Sequence, residues 1–258
     1  MISSINPATD QLLAEFAVHT EQQIDRQLAQ AAKAQKSWAR LGVQARRPYL
    51  NKVAATLRQQ KEALARIITL EMGKPLSEAL GEVEKCAWNF DFYAEQGPVF
   101  LADQVVASAA TDSRIVYDPL GLVLAVMPWN YPFWQVMRAA APVLIGGNGL
   151  VLKHASNVPQ CALAIEKLMH DAGFPPDLFR TLLVGSKPVR GIILDQRIAA
   201  ATITGSEPAG RAVAEILGAV GDAKAVAALL ALFDDPKLHV QVRKIVLDQP
   251  KNKAAMVE

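Results

Sequence analysis

Leu122-Val123-Leu124-Ala125-Val126-Met127 runs directly into Pro128-Trp129-Asn130-Tyr131-Pro132-Phe133. The first half is strand-sized and apolar at every position. A strand with one face in water alternates apolar and polar side chains. A strand without alternation belongs inside a parallel sheet whose two faces are both covered by helices. The second half cannot extend that strand, because its two prolines fix a stiff, extended loop. Asn130, between them, offers an amide donor at the carboxyl end of the strand. Such a donor can stabilise a developing oxyanion. It can equally be a turn residue whose side chain bonds its own backbone.

Downstream, helices and strands alternate. The pattern predicts a helix over 134–145, the turn Gly146-Gly147-Asn148-Gly149 and a strand at 150–152. A helix over 159–172 ends in Gly173-Phe174-Pro175-Pro176. Then come a strand at 181–184, a short helix at 188–194, a strand at 199–203 and a helix opened by Thr204-Gly205-Ser206. This alternation gives an α/β fold with a doubly wound, Rossmann-like parallel sheet and right-handed crossovers. Ligands on such sheets bind beyond the carboxyl ends of the strands, here Met127, Lys153, Gly185 and Thr204.

Each of those ends has two readings. Lys153 can bond ribose hydroxyls or a phosphate, or it can simply be solvated. Ser156 can contact a ligand or cap the following helix. Gly205 lets backbone approach a ligand and Ser206 stands at a helix N-terminus, which favours anions, but an ordinary helix start looks the same. Neither G-x-G-x-x-G nor G-x-x-x-x-G-K-[ST] occurs in the chain.

Upstream, the first hundred residues read as helices. Thr20-Glu21-Gln22-Gln23 is a capping-box pattern ahead of Ile24, Leu28, Ala31, Ala32 and Gln35, with Trp38 packing near the end. One stretch carrying Leu50, Val53, Leu57, Leu64, Ile67 and Ile68 stops at Met72-Gly73-Lys74-Pro75. Another, with Leu76, Leu80, Val83, Ala87 and Phe90, closes at Gly97-Pro98. Residues 114–117 form a short strand, and Asp118-Pro119-Leu120-Gly121 turns it into the central one. Three parts follow: N-terminal helices over 1–112, a Rossmann-like part over 113–215 and a helical tail over 216–258.

With 27 basic and 25 acidic residues, the net charge is +2. This near-balance, without a dense basic run, gives no reason to expect nucleic acid or an anionic membrane as partner. No apolar run approaches the roughly 20 residues of a membrane span, and the first residues lack a signal-peptide pattern. Two cysteines make no disulfide framework. The expected location is a reducing cytoplasm, and no metal site is expected.

The motifs together resemble the aldehyde dehydrogenase superfamily. The resemblance rests on Met127-Pro-Trp-Asn-Tyr-Pro132, Leu152-Lys-His-Ala-Ser156 and Ile203-Thr-Gly-Ser206, in that order and separated by βα units. Ile5-Asn-Pro-Ala-Thr9, Glu71-Met-Gly-Lys-Pro75 and Asp118-Pro-Leu-Gly-Leu-Val123 fit as well, so it spans residues 2–215. Within the superfamily the chain is similar to bacterial succinate-semialdehyde dehydrogenases. The resemblance implies NAD(P)-dependent oxidation of an aldehyde, such as succinic semialdehyde, to a carboxylate. It assigns Asn130 as oxyanion donor, Trp129 and Asn130 to the nicotinamide side of the cofactor, and Met127 to the cofactor site. It places Lys153 at the adenosine ribose, Gly185 at the next strand end, and Gly205 and Ser206 at the pyrophosphate. Many NAD-specific members carry a Glu at the position of Ser156, where it binds the ribose 2′-hydroxyl and repels a 2′-phosphate. A neutral Ser156 therefore implies acceptance of NADP, alongside NAD.

The family's nucleophilic Cys and its base, a Glu in Glu-x-Gly-Gly, belong after the Gly-Ser helix. No Glu-x-Gly-Gly follows Ser206, and the two cysteines, Cys86 and Cys161, precede it within apolar helical patterns. His154 lies between two cofactor-contact positions and reads as structural. The expectation is a truncated aldehyde dehydrogenase fold, cut short or fused after about Glu215 and inactive alone. The alternative is a non-catalytic cofactor-binding or protein-interaction module. From 216 on, the sequence is similar to a single HEAT-type repeat, with Asp235-Pro236 as its turn and Val240-Gln-Val-Arg243 after it. One repeat cannot bury its apolar face alone. Homo-oligomers or hetero-association are expected through this tail or through an unpaired strand at 199–203.

Overall fold

The computed structural model describes residues 1–220. A hairpin of β1 (Ile2–Ile5) and β2 (Leu12–Phe16) precedes four helices: α1 (Glu21–Ala39), α2 (Val43–Gln59), α3 (Lys61–Met72) and α4 (Leu76–Phe100). An antiparallel ribbon of β3 (Gln104–Val105) and β4 (Arg114–Ile115) then leads to the alternating part. That part runs β5 (Leu122–Met127), α5 (Trp134–Ile145), β6 (Gly149–His154), α6 (Pro159–Asp171), β7 (Phe179–Thr181), α7 (Val189–Ile193), β8 (Ile198–Ile203) and α8 (Glu207–Val220). The chain divides into two compact units. Met1–Gly185 with Arg197–Thr202 is the first; Ser186–Gln196 with the chain from Ile203 onward is the second.

The sheet has the order β7-β6-β5-β8. β5 pairs with β6 in parallel from Leu122↔Gly149 to Met127↔His154, and β6 pairs with β7 in parallel from Leu150↔Phe179 to Leu152↔Thr181. All but one residue of β5 and of β6 are buried, as the unbroken apolar run requires. One face of these strands (Ala125, Met127, Leu150 and Leu152) joins a core shared with α2, α3, α4, α5 and α6. α1 packs along β5, β6 and β7. Among the described residues β8 is an edge strand, as expected for residues 199–203.

Local chemistry sets the ends. Both halves of the capping box form: Gln23 N donates to Thr20 Oγ1 at 3.2 Å, and Thr20 N donates to Gln23 Oε1 at 2.8 Å. Trp38 is wholly buried, its Nε1 donating to the Leu144 carbonyl at 2.8 Å. Its ring meets Tyr49 edge-on at 5.1 Å and Phe174 at 5.2 Å. The φ of Gly147 is +85°, and a Cβ there would lie 2.0 Å from Arg46 Nη1, so only glycine fits.

Four expectations are corrected. The first hundred residues are not all helical, since residues 2–16 form the β1–β2 hairpin. The helical stretch from Leu50 to Ile68 is two helices, broken at Gln60, which leaves helical dihedrals at φ −98° and ψ 11°. Gly97-Pro98 does not end α4, which continues to Phe100. Pro98 has no N–H to offer the Ala94 carbonyl, and Arg47 Nε takes that acceptor at 2.8 Å instead. Gly97 is tolerated because a Cβ would stand 2.6 Å from Ile145 Cγ1. Finally, β7 occupies 179–181 rather than 181–184, although Leu182 N still donates to the Leu152 carbonyl at 2.8 Å.

In the second unit α7 packs against α8. α8 passes through residue 215 unbroken and carries an i,i+4 ion pair between Glu207 and Arg211. Beyond 220, the HEAT-like part of the expected tail lies outside the described residues.

Candidate functional site

The loop after β5 is held from two sides, by Glu82 and Lys74 and by His154. Phe133 stands at the N-cap of α5 without a side-chain cap of its own. Glu82, buried on α4, supplies one: its Oε1 accepts from Phe133 N and Trp134 N, both at 2.9 Å. Its Oε2 pairs with the buried Lys74 ammonium. Lys74 Nζ also lies 3.6 Å from the centroid of the Tyr131 ring.

From the sheet side, His154 Nε2 lies 2.9 Å from the Pro132 carbonyl, and its Nδ1 lies 2.9 Å from Ala155 N. A neutral ring protonated on Nε2 satisfies both, donating to Pro132 and accepting from Ala155. Burial pushes its pKa down from 6.5 to about 4, outweighing the two backbone carbonyls that favour the charged form. The structural reading of His154 is thus given a specific task.

The sign of the linkage follows. The unfolded chain takes up the His154 proton first, so stability falls as pH drops through 6.5 and levels off below about 4. We expect a loss of roughly 3 kcal/mol across that window. Urea unfolding between pH 7.5 and 4 should show this loss in excess of that of a His154→Gln variant. Equal pH dependence of the two proteins would refute it.

Within the loop, Trp129 and Asn130 are exposed. Asn130 Oδ1 accepts from Tyr131 N at 3.1 Å, the self-bonded turn geometry. Its amide nitrogen has no hydrogen-bond partner among the described residues, so the donor remains available. Met127 is buried at the end of β5 and pairs in register with His154, while Val126 pairs with Lys153. Met127 and Lys153 therefore stand in the last residues of two adjacent strands, β6 running on to His154 rather than stopping at Leu152, and Trp129, Asn130 and Ser156 follow just beyond. A small cleft of about 10 Å³, room for a single water, lies between the end of β6 and the segment after β7, lined by His154, Ala155, Ser156, Leu182 and Val184 among others.

Lys153 is half-buried, makes no hydrogen bond or ion pair among the described residues, and has its pKa lowered by burial. A desolvated cation without a partner is costly unless something anionic or richly hydroxylated meets it. Ser156 is exposed and does not cap α6. That helix starts after Val158 with Pro159 at its first turn, and its amides are met by another residue. The residue is Glu71, whose Oε1 accepts from Gln160 N at 2.8 Å and whose Oε2 accepts from Cys161 N at 2.7 Å. Gly185 follows β7, with open space where a Cβ would sit. Gly205 and Ser206 are exposed at the start of α8, in the second unit.

Sequence reasoning missed Glu71, Lys74 and Glu82. The first two stand in Glu71-Met-Gly-Lys-Pro75, which carried a family resemblance but gave no hint of distant caps. Cys86 and Cys161 are buried core residues, and burial drives both thiols well above their ordinary pKa. Neither is placed or ionised to act as a nucleophile. Among the described residues no group of three His, Cys, Asp or Glu side chains could hold a metal, and no helix is long and apolar enough to cross a membrane.

The aldehyde dehydrogenase family profile matches residues 1–231. The chain belongs to the aldehyde dehydrogenase family. It is 48% identical over 213 residues to a Synechocystis protein named as a probable NADP+ succinate-semialdehyde dehydrogenase, covering 83% of this chain and 47% of that one. It is 44% identical over 220 residues to succinate-semialdehyde dehydrogenase (NADP+) 1 of Mycobacterium bovis, covering 84% of this chain and 48% of that one. The crystal structure of succinic semialdehyde dehydrogenase from Streptococcus pyogenes in complex with NADP+ superposes with a TM-score of 0.81 at 34% identity. The match covers 85% of this chain and 48% of that one. This aldehyde dehydrogenase chain spans about half the length of the curated relatives it matches.

Proposed function

We propose that this chain is the dinucleotide-binding portion of an NADP-preferring succinate-semialdehyde dehydrogenase, with NAD as the weaker cofactor. The observation that carries the reading is Lys153: a half-buried cation without a hydrogen-bond or ion-pair partner among the described residues, at the carboxyl end of a central strand. Its ammonium suits the ribose hydroxyls and 2′-phosphate of the adenosine end, and the neutral Ser156 beside it adds no opposing carboxylate. Gly185 leaves room at the next strand end, and Gly205 and Ser206 keep the pyrophosphate role that the family resemblance gives them. Trp129 and Asn130 would face the nicotinamide, with the Asn130 amide turned to the oxygen of a reacting aldehyde, while Met127, buried in the core, would hold the strand end beneath them. The bound cofactor would supply the hydride acceptor.

This chain's own residues bind and orient, and its two buried thiols take no part in the chemistry. The chain alone is therefore expected to form no NADPH from succinic semialdehyde. A second reading, a non-catalytic cofactor-binding or protein-interaction module, draws on the same buried thiols. We place the protein in the cytoplasm and keep residues 216–258 as a helical tail. The β8 edge or the tail would support association with a second copy or another chain.

Isothermal titration of the full chain tests the reading. NADP+ should bind more tightly than NAD+, and Lys153→Met should weaken NADP+ between about tenfold and a hundredfold, the worth of a charge-assisted hydrogen bond. Failure of the unsubstituted chain to bind either dinucleotide would end this proposal.

A further inference from the structure

We propose that Glu82 and Lys74 are positioning residues for Trp129 and Asn130, an inference that rests on the dinucleotide reading above. Both side chains are more than nine-tenths buried, Lys74 6% and Glu82 4% exposed. A buried ion pair is seldom retained for stability, because apolar side chains of similar volume often do as well. This pair has a more specific geometry. Glu82 divides its two oxygens, giving one to the backbone of Phe133 and Trp134 and the other to Lys74. Lys74 in turn lies against the ring of Tyr131.

The pair thus grips the loop at Tyr131 and at its far end, while His154 grips Pro132 from the sheet. The only side-chain hydrogen bond of Asn130 among the described residues is the one to Tyr131 N, a residue the pair immobilises. The loop is fixed before any ligand arrives. The backbone that carries Trp129 and Asn130 is therefore pre-organised for the nicotinamide end, which lowers the ordering cost of binding. The adenosine end, at Lys153 and Ser156, shares no hydrogen bond or ion pair with this pair among the described residues.

That separation supplies the test. NADP+ and adenosine 2′,5′-bisphosphate, which lacks the nicotinamide, are titrated calorimetrically into the full chain and its variants, with folding checked by circular dichroism. Glu82→Ala should weaken NADP+ about tenfold while the bisphosphate stays within about twofold. Glu82→Gln, which keeps an oxygen for the two amides, should recover NADP+ binding to within about threefold of the unsubstituted chain. Equal losses on both probes, or no loss on either, overturn the positioning role. Should Glu82→Ala not fold, Tyr131→Leu at the exposed loop decides. NADP+ weakened about threefold with the bisphosphate unchanged supports the role, and unchanged NADP+ overturns it. An unsubstituted chain that binds neither probe overturns the dinucleotide reading and this inference with it; one that binds both, with Glu82 variants unaffected, overturns this inference alone.

Discussion

Replacing Ser156 by glutamate is expected to reverse the cofactor preference, weakening NADP+ by at least about a hundredfold while NAD+ binds as well as before or better. Ser156 is exposed in the turn after β6, and its hydroxyl makes no hydrogen bond among the described residues, so the substitution removes nothing from the fold. What it adds is a carboxylate next to the ground on which Lys153 would receive the adenosine ribose. Two like charges about 4 Å apart near a protein surface repel by roughly 4 kcal/mol, more than a hundredfold change requires. With NAD+ the same carboxylate meets a 2′-hydroxyl and accepts its hydrogen bond. Side-by-side titration of both dinucleotides into the variant decides the matter. NADP+ affinity within about threefold of the unsubstituted chain would show that the 2′-position lies elsewhere.

The parts of this site that the sequence disclosed are those whose cause is local. The Leu122–Met127 strand and the helix after it are found where they were expected, because an apolar run bounded by prolines and a glycine cluster permits little else. Lys153 and Ser156 were expected just after a strand; Lys153 is the penultimate residue of β6, and Ser156 lies two residues past its end. What stayed hidden is whatever depends on partners far along the chain. Glu82 caps α5 across 51 residues, and Glu71 caps α6 across 90. In the sequence both look like ordinary charged residues of amphipathic helices. The β1–β2 hairpin was missed for the same reason. Its inward-facing Ser4 is fully buried and polar, which breaks the alternation that marks a strand. Ser4 is polar because its Oγ donates to Glu71 Oε1 at 2.7 Å.

That last contact makes Glu71 the residue whose loss should cost the fold most. Its carboxylate, 2% exposed, gathers Ser4 Oγ and the amides of Gln160 and Cys161, so it ties the N-terminal hairpin and α3 to the first turn of α6. α6 has no capping side chain of its own. In Glu71→Ala the two helix amides and the Ser4 hydroxyl lose their acceptor in a space closed to water. Each charge-assisted hydrogen bond is worth about 1.5–3 kcal/mol, and stranded buried donors carry their own desolvation cost. A destabilisation of about 4 kcal/mol is expected, a large part of a typical domain's margin. Glu71→Gln should lose about half as much, because its carbonyl oxygen still serves one amide while its NH2 group faces the other donor. Denaturant unfolding of the three proteins at pH 7 should rank them in that order. A cost below about 1 kcal/mol for Glu71→Ala would mean that water reaches those amides, and that the hairpin is not tied to α6 through this carboxylate.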